Sequence, residues 1–136
     1  MASELRVNTL KDAAGNNSVA MQYVANGSAK AWVNFNGTGT IATRDSLNTS
    51  GLVDNGTGDY TVNIASAMGN NDYSVSGSCR DDSNSAATAC RWLGISSAAT
   101  VDTVMTTGLV RVLTVFANGS PDDSEVACVK INGDIA

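Results

Sequence analysis

Five Asn-Gly dipeptides, at positions 26, 36, 55, 118 and 132, cut this 136-residue chain into short pieces. Both residues accept the positive φ of a type I′ turn, so Asn-Gly between apolar runs is the strongest short-range signal for a β-hairpin. A chain punctuated this often has little room for long helices. Its composition points the same way. Asn, Gly, Ser and Thr supply 55 of the 136 residues, whereas Glu occurs twice and Lys three times, so the usual surface helix formers are scarce.

Between the turn signals lie short runs of strand character. Leu5-Arg6-Val7-Asn8-Thr9 alternates, and Val19 to Val24, Lys30 to Phe35 and Gly39 to Thr43 follow. Asp59 to Ile64 alternates cleanly, with Tyr60, Val62 and Ile64 on one face, and Tyr73 to Ser76 repeats the pattern. Cys90 to Ile95, Val101 to Met105, Leu109 to Phe116 and Glu125 to Ile131 complete the series. The run 109–116 is dense in β-branched residues and has the length of a central strand covered on both faces. Pro121, the single proline, sits in a turn before the last strand. Roughly nine or ten short strands at this spacing predict an all-β fold, an antiparallel β-sandwich of jelly-roll-like form. That domain is expected over 29–136. Residues 1–28 are thinner in apolar side chains and are expected as an extended attachment or oligomerisation segment, with a boundary near Ser28.

Several functions are disfavoured by chemistry. A formal charge of −5 offers no basic stripe for phosphates, so no nucleic-acid partner is expected. No run approaches the ~18 apolar residues of a membrane-spanning helix, and no membrane insertion is expected. The start, Met1-Ala2-Ser3-Glu4, lacks the basic and apolar regions of a signal peptide, which predicts synthesis without ordinary secretion. Histidine is absent, removing the commonest general base and zinc ligand and any Ser–His–Asp or Cys–His site within the chain. The carboxylate pairs Asp81-Asp82 and Asp122-Asp123 fit solvated turns better than a hydrolytic pair. Asp54 to Asp59 carries oxygen donors, but it lacks the spacing of a calcium loop and reads as a plain turn. The expectation is therefore a non-enzyme with no cofactor and no metal.

Cys79 and Cys90 bracket a Ser/Ala/Asp stretch and are spaced to staple a hairpin, a bridge contributing ~3 kcal/mol when unstrained. A reducing cytoplasm favours the separate thiols, and both states stay open. Cys128 alternates with apolar neighbours and is expected as a small buried hydrophobe. Six Asn-x-Ser/Thr sequons are simple products of this composition. Trp32, Phe35 and Tyr60 are expected as core anchors, because large aromatics dominate small cores. Trp92, beside Arg91, is the better candidate for an exposed aromatic that stacks on sugar.

Two segments carry a resemblance. One is Ala29-Lys30-Ala31-Trp32-Val33-Asn34-Phe35-Asn36-Gly37-Thr38-Gly39-Thr40 with Arg44-Asp45-Ser46; the other is Asp54-Asn55-Gly56-Thr57-Gly58-Asp59-Tyr60-Thr61-Val62-Asn63. With the lead-in from Leu5 to Asn17, residues 4–75 resemble a tail-fibre-like module of tailed bacteriophages, of the marine and cyanobacterial phage type. The resemblance implies a structural virion protein, made in the host cytoplasm. It further implies a short homotrimeric tail fibre or knob that contacts other virion proteins and a bacterial surface polysaccharide or protein. The alternative is a head decoration or connector protein with no receptor role. In such a trimer Leu5, Val7 and Leu10 would pack around the three-fold axis. The acidic loops 78–90 and 117–125, with Asp81, Asp82, Trp92, Asp122 and Asp123, would face outward.

Overall fold

The computed structural model describes residues 3, 5–80, 91–97 and 101–136. The fold is all-β and antiparallel. A small hairpin pairs β1 (Thr9–Lys11) with β2 (Ser18–Ala20), and a seven-residue helix, α1 (Met21–Gly27), leads into the sandwich. The sandwich follows as β3 (Ala29–Asn36), β4 (Ala42–Leu47), β5 (Thr49–Gly56), β6 (Asp59–Ile64), β7 (Ser74–Arg80) and β8 (Arg91–Ile95). A short helix α2 (Val101–Val104) precedes β9 (Met105–Thr106), β10 (Leu109–Phe116) and β11 (Val126–Asn132). One sheet has the order β4-β3-β11-β7. The other has the order β5-β6-β10-β8, with β9 beside β8 on the same edge of β10.

Alternation builds the core. Ala31, Val33 and Phe35 of β3 and Ala127, Val129 and Ile131 of β11 point inward from one sheet. Tyr60, Val62 and Ile64 of β6 meet them with Val110 and Val112 of β10. Each Val, Ile or Phe among them contributes about 1.5–3 kcal/mol on leaving water. Phe35 and Tyr60 meet edge to face across the core, with centroids 5.1 Å apart and rings inclined at 74°, an arrangement the ring quadrupoles favour. Trp32 lies on the opposite side of β3 and is only half-buried, so it anchors less than the other two.

Beyond shifted bounds, such as β4 at Ala42–Leu47 where Gly39 to Thr43 is expected, four features differ from the sequence pattern. Residues 9–27, expected as extended chain, form the hairpin and α1, because Met21-Gln22-Tyr23-Val24-Ala25 closes a helical turn before Asn26-Gly27 stops it. Asn-Gly here ends a helix instead of making a hairpin. Val101–Met105, expected as a strand, is mostly helix, since β8 already pairs with Val112–Phe116 and leaves only Leu109 and Val110 for β9. The strand β5 was not signalled at all. Its sequence, TSGLVDNG, carries two glycines and few apolar residues, and it is held as an edge strand by its hairpin with β6. Finally, β10 is central but covered on one face only: Arg111, Leu113 and Val115 remain half-buried on the outer side.

The crossover from β4 to β5 turns on Asn48, the non-glycine residue with φ of 53°. Asn tolerates this left-handed conformation better than most residues. Its amide donates to the carbonyls of Lys30 and Ser66, and its Oδ1 accepts from the Ser66 N–H at 2.7 Å. One side chain therefore ties the crossover to both sheets. Asn48→Ala should cost about 1–3 kcal/mol through lost hydrogen bonds and backbone strain. Asn48→Gly, relieved of the strain, should lose less; urea unfolding of both variants ranks the two terms.

Candidate functional site

At one end of the sandwich three distant turns close on one another. Gly37 follows β3, Gly58 sits in the β5–β6 hairpin, and Asp122, Asp123 and Ser124 belong to the loop before β11. The Tyr60 hydroxyl lies 2.8 Å from Asp123 Oδ1 and 3.0 Å from the Gly37 carbonyl oxygen. The same carboxylate oxygen accepts from the Gly58 N–H at 2.7 Å. Gly37 N–H donates to the Ser124 carbonyl, and Thr114 Oγ1 donates to the Asp122 carbonyl at 2.6 Å. The approach is close enough to exclude side chains. A Cβ on Gly37 would lie 2.4 Å from Tyr60 Oη, and one on Gly58 would lie 2.4 Å from the Thr114 carbonyl oxygen. Gly58 also has φ of 67°, which favours glycine.

This convergence gives the segments 36–39 and 55–60 their physical role. The Asn-Gly-Thr-Gly turns and Asp59-Tyr60 meet because the sandwich closes through them. The arrangement holds a carboxylate, a phenol and amides with their hydrogen bonds made. Asp122 and Asp123, expected in an outward loop, are half-buried and used internally: Asp123 as above, Asp122 in an ion pair with Arg91. Arg91 in turn lies over the Phe116 ring at 4.7 Å. Asp54 accepts from Gly56 N–H, and Asp59 pairs with Arg111 through two bonds of 2.8 and 2.7 Å. The carboxylates that suggested a cation loop are thus engaged locally. Among the described residues no three His, Cys, Asp or Glu side chains are grouped to hold a metal ion.

The remaining candidates separate. Asp81, Asp82 and Cys90 lie outside the described residues, and with them the Cys79–Cys90 pairing. Cys79 itself is half-buried, and burial pushes its thiol up. Leu5, Val7 and Leu10 are 80%, 36% and 41% exposed at the N-terminal end. Trp92 is 64% exposed, and its strand explains why. Its neighbours Arg91 and Leu93 both turn inward, one to Asp122 and the other to the core, so the indole between them must face solvent. Sequence alone does not show the Arg111–Asp59 and Arg91–Asp122 pairs, since strand register joins the first and the fold-back of the loop before β11 joins the second. Among the described residues no helix is long and apolar enough to cross a membrane. No family model, curated protein or solved structure matches this chain.

Two phenols make the fold sensitive to alkali. Burial, with the hydrogen bond and charge of Asp123, holds the Tyr60 phenol far above its ordinary value of 10.0. Burial pushes Tyr73 up to about 12. Its hydroxyl lies 2.6 Å from the Leu109 carbonyl oxygen. The unfolded chain loses these protons near pH 10, and the folded chain keeps them to higher pH. The stabilisation is therefore complete below pH 10 and is lost as pH rises toward and through the folded values. Denaturant midpoints should fall steeply between pH 10 and pH 12 and fall less in Tyr73→Phe. At neutral pH, Tyr60→Phe should cost about 1–3 kcal/mol because it leaves buried acceptors unmatched. Gly58→Ala should cost more, since its Cβ meets backbone.

Proposed function

We propose that this chain is a non-enzymatic structural module of a tailed-phage virion, a short trimeric fibre or knob that contacts the host surface. One observation carries the oligomeric part of that reading. The hairpin β1–β2 and helix α1 leave Leu5, Val7, Leu10, Val19, Tyr23 and Val24 all at least 36% exposed. No residue of α1 is buried. Leu10 and Val19 are directly opposed across the hairpin and share one face. Two-stranded hairpins are marginal in water, and isolated helices shorter than ~12 residues are too. These elements need a covering surface, and identical copies around an axis supply one.

The resemblance over residues 4–75 supplies the phage context and the trimer. The absence of histidine and the engagement of Asp54, Asp59, Asp122 and Asp123 in local bonds support a binding or structural role over catalysis. Three copies on one axis would multiply weak contacts by avidity.

Light scattering after size exclusion tests this directly. The full chain should run at three times its 13.9 kDa mass, and Leu10→Asp with Val19→Asp should reduce it to a folded monomer. A native chain that is monomeric at tens of micromolar would end the fibre reading and favour a decoration or connector protein that orders on the particle.

A further inference from the structure

The outer face of the β5-β6-β10-β8 sheet carries a set of side chains that the core and the end lock do not use. Strand register places Trp92 opposite Val115 and Gly94 opposite Leu113. Leu113 pairs in turn with Asp59, and Arg111 with Thr61. Residues two apart on a strand share a face, so Trp92, Gly94, Leu113, Val115, Arg111 and Asp59 form one surface. Its backbone is that of a paired sheet, with the indole fixed outward by its inward neighbours. Gly94 has open space where a side chain would stand, leaving a gap beside the ring. At ~4.8 Å between strands and ~3.4 Å per residue, Asp59 lies roughly 12 Å from Trp92 along the surface.

From this geometry we infer that the face binds an uncharged saccharide chain, with Trp92 as the stacking platform and the Arg111–Asp59 pair as the hydrogen-bonding end. This rests on the reading of the chain as a module that contacts a surface. An indole face is broad and apolar and complements the C–H face of a pyranose ring. The gap at Gly94 lets the next ring continue along the sheet. Arg111 donates from Nε and Nη2 to the two Asp59 oxygens, which holds the guanidinium in place. Its remaining N–H groups, on a side chain 28% exposed, are the donors for a sugar hydroxyl. Charge selects the class of ligand. Arg111 and Asp59 cancel each other, and the chain as a whole carries −5, so an anionic polymer meets net repulsion while a neutral one does not.

The test uses the full chain and hexasaccharides built on glucose, mannose, galactose and N-acetylglucosamine, with polygalacturonate as an anionic control, read by calorimetry. At least one neutral hexasaccharide should bind saturably. Trp92→Ala should weaken it about thirty-fold, as loss of an anchoring Trp does, and Trp92→Phe should restore most of the affinity. Gly94→Val fills the gap at no cost in space to the fold and should weaken binding at least ten-fold while the melting temperature stays unchanged. No saturable binding to any neutral hexasaccharide, binding to polygalacturonate alone, or equal affinity in Trp92→Ala would each overturn the proposal. So would a native mass that falls in Trp92→Ala, because the face would then be a contact between copies. Mass measured on the same samples separates the two readings. A monomer that binds sugar ends the trimer and keeps the site, and a trimer that binds none does the reverse.

Discussion

Tyr60 has its ring in the core and its hydroxyl at the edge of it, and the rest of the sandwich is arranged around that position. The ring packs edge-on against Phe35 of the opposite sheet. The hydroxyl reaches Asp123 and the Gly37 carbonyl, which belong to two other turns. A buried phenol must find a partner, because an unmatched polar group in the core costs about as much as a hydrogen bond contributes. Asp123 meets that requirement only if the loop before β11 folds back. That folding brings Asp122 within reach of Arg91, and Arg91 then fixes the start of β8.

The consequence reaches the far face of the sheet. With Arg91 held at the sandwich end over Phe116 and Leu93 against the core, the strand between them has no freedom to turn Trp92 inward. An exposed tryptophan carries an energetic cost that a loop could avoid by collapsing. The pairing of that strand fixes the face of the sheet from which the indole rises.

The N-terminal end follows the opposite logic. Asn132 donates to the Gly27 carbonyl at 3.0 Å and ties the end of α1 to β11, but the hairpin beyond it has almost no buried surface of its own. Its loop is ordered locally, by Asp12 accepting from Asn16 and Asn17, while Leu10 and Val19 stay open. The two ends of the molecule thus differ in how they are satisfied. One is closed by polar contacts within the chain, and the other leaves its apolar side chains exposed.

Much of this was legible in the residues. The alternation of Asp59 to Ile64 determined a strand and its inward face, because a period of two allows one solution when one face is buried. The β-branched run Leu109–Phe116 determined a strand but not its inward face, since its pattern fits burial on both sides and the structure buries only one. Asn-Gly marked the neighbourhood of the turns, though at Asn26-Gly27 a helix ends and at Asn55-Gly56 the dipeptide is the last of β5, with the tight turn at Thr57-Gly58. The solvent position of Trp92 was also readable as a candidate. Tertiary structure alone decided that Asp122 and Asp123 serve the interior, since their partners Arg91 and Tyr60 lie 31 and 63 residues away. It alone decided that β5 is a strand, for the pairing with β6 supplies what its own sequence lacks. Local pattern reports the period of a strand and the place of a turn, but which strands become neighbours depends on contacts between residues that only the folded chain brings together.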